Sequence, residues 1–193
     1  MGYAISWLAV RDADREKLIA DLGLVATEET AYFAEPLFSG RTISSGWFVL
    51  AINQCSHTFV LPETLKRLTD LEEIVASCIE ERAKYSTAEL WRRGVEVWRL
   101  VHEAELDMLH LAESGALPRG FSAIRNEYFA QQKAKGGARS DTDYIFDVPL
   151  EMAKSVVGFR HDKRSPGDDA FIVYKIPAPP AETKPEKPRW KFW

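Results

Sequence analysis

Residues 53–57 read NQCSH and follow the apolar run GWFVLAI. Cys55 and His57 stand two apart, and on an extended strand residues two apart point to the same face. A thiol beside an imidazole can be a nucleophile with its base, or the beginning of a metal site. A structural zinc needs a full tetrahedral set, usually supplied as C-x₂₋₄-C or H-x₃₋₅-H pairs. Cys-x-His meets no second pair in this chain, and Cys78 and His102 could join it only through tertiary structure. No metal is therefore expected, and Cys55, His57 and Cys78 are the alternative ligand set. A nucleophilic thiol also needs a lowered pKa. One that follows GWFVLAI is expected to pack instead, because free cysteine is among the most buried residue types. Both cysteines are read as reduced, buried thiols.

Carboxylates supply the second possible chemistry. Glu80, Glu81, Glu89, Glu103 and Glu105 lie on or near one stretch of strand-like sequence. Paired carboxyls can act as general acid and base when their surroundings separate their pKa values. Glu80 and Glu81 are sequence neighbours and point to opposite faces of a strand, so a pair must come from adjacent strands. The catalytic set such a sheet could build is Glu80 and Glu89 with His102. Arg82, Lys84, Arg92, Arg93 and Arg99 are interspersed among them, and cross-strand ion pairs on a wetted face account for the same pattern.

Two further groups are candidates for binding. Arg160, His161 and Asp162 are contiguous just past a helix end, on the kind of loop where binding residues collect. Cations there also complement the helix dipole. At the far end, Trp190, Phe192 and Trp193 alternate with Arg189 and Lys191, which suits docking against protein, in cis or in trans. Membrane insertion is not expected, since stable anchoring takes two signals. Nucleic acid is not expected either, because net charge is −4 and no basic platform accompanies the aromatics.

The chain has 193 residues, 46 % of them hydrophobic and 28 % charged, the composition of a globular domain. No apolar run approaches the roughly 18 residues that cross a bilayer. The opening MGYAISWLAV lacks a basic n-region, so a secretory signal is not expected. Gly2 and Ser6 fit a loose acylation pattern, but the alternation around them reads as a docked strand. Phosphate-loop, dinucleotide, nucleophile-elbow, zincin and EF-hand signatures are missing, and no cofactor is expected.

The positioning elements follow from periodicity. YAISWLAV reads as a strand, Asp12 or Asp14 as the cap of a helix through Leu22, and 26–45 as irregular. GWFVLAI reads as a strand buried on both faces. EEIVASCIEER, KYSTAELWRR and VEVWRLVHEAE predict an antiparallel meander with its hairpin at Arg93-Gly94. A two-residue turn puts Tyr85 opposite His102 and Glu89 opposite Trp98, whereas a bulge shifts each pair by one. LDMLHLAES reads as a strand, FSAIRNEYFAQQKAK as a helix, VPLEMAKSVVG as a helix capped by Asp147, and FIVYKI as a last strand. The expected fold is α+β: a meander sheet with helices on one face over residues 1–176, then a Pro-rich tail over 177–193.

Together, MGYAISWLAV, SGWFVLAINQCSH, STAELWRRGVEVWRLVHEAE and DYIFDVPLEMAKSVVGFRHD resemble a group of small uncharacterised bacterial proteins of similar length. The resemblance spans most of 1–162 and stops before the tail. It implies a bacterial, cytoplasmic, single-domain protein, carries no catalytic residues, and draws attention to Trp91, Trp98 and the GFRHD loop. The functional expectation is a non-catalytic protein-binding or regulatory module, accessory or immunity-like, that uses its sheet surface and tail on a protein partner or itself. The alternative is an enzyme built from the Glu and His side chains of the meander. An enzyme would gather those groups in a concave pocket, whereas a binding module would display a patch or groove.

Overall fold

The computed structural model describes residues 2–163 and 170–178. Their strands are β1 (Ala4–Arg11), β2 (Val25–Ala31), β3 (Phe38–Thr42), β4 (Trp47–Ile52), β5 (Ile74–Glu80), β6 (Tyr85–Arg92), β7 (Val95–Glu103), β8 (Ala112–Gly115) and β9 (Phe171–Lys175). The helices are α1 (Arg15–Asp21), α2 (Pro62–Leu65), α3 (Phe121–Ala134) and α4 (Asp147–Val157). Among the described residues the strands form one nine-stranded sheet in the order β2-β9-β3-β4-β1-β5-β6-β7-β8. Every neighbouring pair is antiparallel. The α+β architecture and the β5–β6–β7 meander are as the sequence predicts.

Helices cover both faces of this sheet, not one. On the first face Trp7, Trp47, Val75, Leu90 and Leu100 pack with residues of α3 and α4 such as Phe121, Val148 and Met152. On the second, Leu8, Phe48, Leu50, Ile74 and Trp91 pack with Leu18 and Leu22 near α1 and with Val60, Leu65 and Leu68 around α2. The cause lies in the central strands. All six residues of β4 are buried, as are residues 5–10 of β1, so apolar side chains project both ways and each face needs a lid. The second lid is made of short pieces with weak periodicity, which is why the longer helices drew attention first.

Several local expectations give way to tertiary structure. The segment 26–45 contains β2 and β3. The first, VATEETA, is an edge strand with no apolar alternation, and the second holds Gly40 at its centre. Gly40 is required by contact: a Cβ there would stand 2.5 Å from Phe48 Cζ. LDMLHLAES is mostly turn, and only Ala112–Gly115 pairs, because Asp107 Oδ1 accepts from Leu109 N–H and His110 Nδ1 accepts from Glu103 N–H. Asp14 stands at the N-cap of α1, as expected, but its side chain makes no capping bond; a single 3₁₀ turn precedes the helix, and Asp12 accepts from Thr42 Oγ1. Asp147 is the first residue of α4 and makes no capping bond.

The hairpin combines both registers considered from sequence. Arg93 and Gly94 both have positive φ, 48° and 76°, the geometry of a two-residue primed turn, so Arg92 faces Val95. The ladder then slips between Leu90 and Trp91, with Val97 as the extra residue. Glu89 therefore opposes Arg99, and Tyr85 opposes Glu103.

Candidate functional site

β1, β5 and β6 lie side by side, and their alternation sends Ser6, Cys78 and Glu89 to the second face. Cys55 reaches the same place from the bend after β4. Ser56 there adopts a left-handed backbone (φ 53°), and Cys55 packs against the core cluster that contains Cys78. Ser6 Oγ donates to the Gln54 carbonyl at 2.9 Å and lies 3.5 Å from Cys78 Sγ. Cys78 N–H donates to Thr87 Oγ1 at 3.0 Å. Hydrogen bonding from the Cys55 thiol, and to a lesser degree from Ser6, the Ser56 backbone N–H and Thr87, favours the charged form of Cys78. The Cys55 hydrogen bond, outweighing burial, pulls the Cys78 thiol below its ordinary value, while the same contact and burial push Cys55 up. The first proton to leave belongs to the pair.

Two more perturbed groups stand on this face. Burial pushes the Glu89 carboxyl up to about 7, against the Trp91 Nε1–H donor at 2.9 Å. Arg99 Nε stands 4.0 Å from Glu89 Oε2, beyond hydrogen-bond reach. Burial likewise pushes the Tyr85 phenol up to about 12. Glu89 and Cys78, two residues singled out from sequence, are thus brought into one neighbourhood on the sheet.

The other sequence candidates are placed elsewhere. His102 points to the first face, across the sheet from Glu89, so the Glu80, Glu89 and His102 set is not assembled. Its ring is fully buried, with Nδ1 2.6 Å from the His110 carbonyl and Nε2 2.9 Å from Asp143 Oδ2. A carbonyl only accepts, so Nδ1 carries a proton. The ring acts as a rivet between the turn after β7 and the approach to α4.

Arg160 is also spent internally. Its Nη1 donates to Glu151 and its Nε to Asp162, both at 2.7 Å, and its Nη2 to Asp147. The side chain is 7 % exposed, so the guanidinium pins the segment after α4 to that helix instead of presenting a charge to a ligand. His161 Nε2 lies 3.3 Å from Glu81 Oε1, and its ring meets Tyr3 edge-on at 5.1 Å. Burial pushes the His161 imidazole down, against the Glu81 carboxylate. Asp162 serves Arg160. These residues, read from sequence as binding groups, form a tertiary clamp.

His57 takes a third direction. Its Nδ1 accepts from Phe59 N–H at 3.2 Å, its ring packs on Phe59 and Phe38, and burial pushes its pKa down. His57 therefore does not join Cys55 and Cys78, and among the described residues no group of three or more His, Cys, Asp or Glu could hold a metal. Trp190, Phe192 and Trp193 lie outside the described residues.

Among the described residues, one end of the sheet is accessible. β2 is an edge strand with each of its residues exposed or half-buried, and it carries Glu28 and Glu29, the second of which pairs with Lys175 of β9 at 2.6 Å. Exposed Val25, Tyr32, Leu37, Ile172 and Ile176 are on or beside β2, β9 and β3. Sequence reading passed over β2 because its alternation is polar. Asp143, the partner of His102, had no local signal at all. Among the described residues no helix is long and apolar enough to cross a membrane. No family model, curated protein or solved structure matches the chain.

Proposed function

We propose that the chain is a non-catalytic protein-binding module, and that its binding surface is the β2 edge, not a face of the sheet. The observation that carries this reading is a seven-residue edge strand, open to solvent and flanked by exposed Val25, Tyr32, Leu37, Ile172 and Ile176. An unpaired edge offers a row of backbone donors and acceptors, and a partner in extended form can add to it as a further strand. Backbone pairing supplies affinity, and alternate side chains supply specificity. Glu29 is met by Lys175 of β9 at 2.6 Å, so Glu28 sets the charge preference: an extended protein segment with a basic residue among apolar ones. The opposite edge is different. β8 has only four residues, and its Glu113 is occupied by Arg125 at 2.9 Å.

The test is site-specific photo-crosslinking in cells that express the full chain, with the photoreactive residue at Glu28 and, as control, at Glu113. Adducts of one defined mass at 28 and few at 113 are expected. No adduct at 28, or adducts that form equally at both edges, would overturn the reading. A covalent species of twice the chain mass would assign the edge to a second copy, against a separate partner.

A further inference from the structure

The thiol pair goes beyond a binding role. We propose that Cys55 and Cys78 form a redox-active pair that closes to an intramolecular disulfide on reaction with a low-molecular-weight disulfide. Three features of the geometry carry this. The two thiols are brought together from different segments, the bend after β4 and the middle of β5: Ser6 pairs with Cys78, its Oγ lies 3.5 Å from Cys78 Sγ, and the same Oγ donates at 2.9 Å to the carbonyl of Gln54, the neighbour of Cys55. Cys78 Sγ has the Ser6 hydroxyl 3.5 Å away, and hydrogen bonding from the Cys55 thiol and the Ser56 backbone N–H adds to it. Such polar surroundings stabilise negative sulfur. Finally, access is graded: Cys78 is buried, whereas Cys55 is half-buried and open to a small reagent.

The chemistry balances with the reagent named. The shared proton lets Cys55 react as the thiolate: its proton passes to Cys78 along their hydrogen bond, and Cys55 Sγ attacks one sulfur of the reagent. The reagent S–S bond breaks, a Cys55 mixed disulfide forms, and one small thiolate leaves. Cys78 Sγ then attacks Cys55 Sγ, the second small thiolate departs, and it takes up the Cys78 proton. Two protein thiols are oxidised, one small disulfide is reduced, and two small thiols are released. Ser6 and Thr87 position Cys78 for the second step, and the Ser6 bond to the Gln54 carbonyl holds the Cys55 loop against β1.

The experiment uses the full chain, reduced and then equilibrated anaerobically across a series of reduced-to-oxidised glutathione ratios. Free thiols are alkylated after acid quench and counted by intact mass. The expected result is concerted loss of both alkylatable thiols in a monomeric product lacking two hydrogens, with no accumulated adduct. Cys78→Ser should instead trap a glutathione adduct on Cys55, and Cys55→Ser should slow any reaction of Cys78 at least tenfold. Two thiols that persist at the most oxidising ratio would overturn the proposal. So would a stable Cys55 adduct in the unaltered chain, or a disulfide between two chains. A melt of each serine variant confirms that it is folded, and Ser6→Ala gives an independent variant: it should slow closure of the Cys55 mixed disulfide, so that the glutathione adduct accumulates.

Discussion

Replacing Glu89 by Gln should stabilise the protein at alkaline pH and leave it nearly unchanged at acid pH. Glu89 is 4 % exposed, and its oxygen accepts from Trp91 Nε1 at 2.9 Å. A glutamine carbonyl can accept the same bond, so the substitution removes a charge and little else. Burial raises the carboxyl from 4.5 to about 7. The folded chain therefore holds this proton more tightly than the unfolded chain does. The stability that this preference contributes is complete below about pH 4.5 and is lost as pH rises through about 7. At about 1.4 kcal/mol for each tenfold in proton affinity, the gap is worth about 3 kcal/mol by pH 8. Urea unfolding of both chains at intervals from pH 4.5 to 8 measures it. The two midpoints should coincide at the acid end and diverge upward for Glu89→Gln. Parallel curves, or a variant less stable at pH 8, would refute the argument that burial and not the Arg99 charge governs this carboxyl.

Two further substitutions test the packing. Arg160→Met leaves Asp147, Glu151 and Asp162 without their shared cation and should cost about 3–5 kcal/mol in urea unfolding, the usual consequence of breaking a buried pair from one side; a loss under 1 kcal/mol would return Arg160 to the surface. Gly40→Ala drives a Cβ to within 2.5 Å of Phe48 Cζ in a close-packed core and should cost about 1–3 kcal/mol, seen as a lowered thermal midpoint. An unchanged midpoint there would mean that the Phe48 ring has room to move.

The fold was legible wherever a segment carried its own period. WFVLAI is apolar throughout and sits buried on both faces; FSAIRNEYFAQQKA and DVPLEMAKSVV repeat at helical spacing and form α3 and α4. VATEETA has no such signal, because an edge strand is chosen by its neighbour β9 and not by its own side chains. The site residues divide in the same way. Residue types capable of chemistry can be read off the sequence, but whether they are free cannot. Arg160 looked available because it stands on a loop, and only the fold brings Asp147 and Glu151 to it. Cys55 and Cys78 are 23 positions apart in sequence (78 minus 55), and their approach depends on β5 pairing with β1 while the bend after β4 folds back.

The two faces consequently spend their polar groups differently. On the first, His102, Asp143, Arg160 and Glu151 bind one another and fasten α4 and the turn after β7 to the sheet. Charge buried in this way is already compensated, and removing one partner exposes the cost of the other. On the second face the groups are compensated only in part. Burial raises the Glu89 carboxyl well above its ordinary value, and the two thiols are pushed in opposite directions. Asn53 extends that second region toward the accessible end of the sheet, since its N–H donates to the Leu37 carbonyl at 2.9 Å and its Nδ2 to the Glu35 carbonyl at 3.3 Å. The loop that carries Cys55 is thus tied to β1 on one side and to the approach to β3 on the other. A covalent bond between Cys55 and Cys78 would fix that loop at both ends, beside exposed Leu37 and two strands away from the β2 edge.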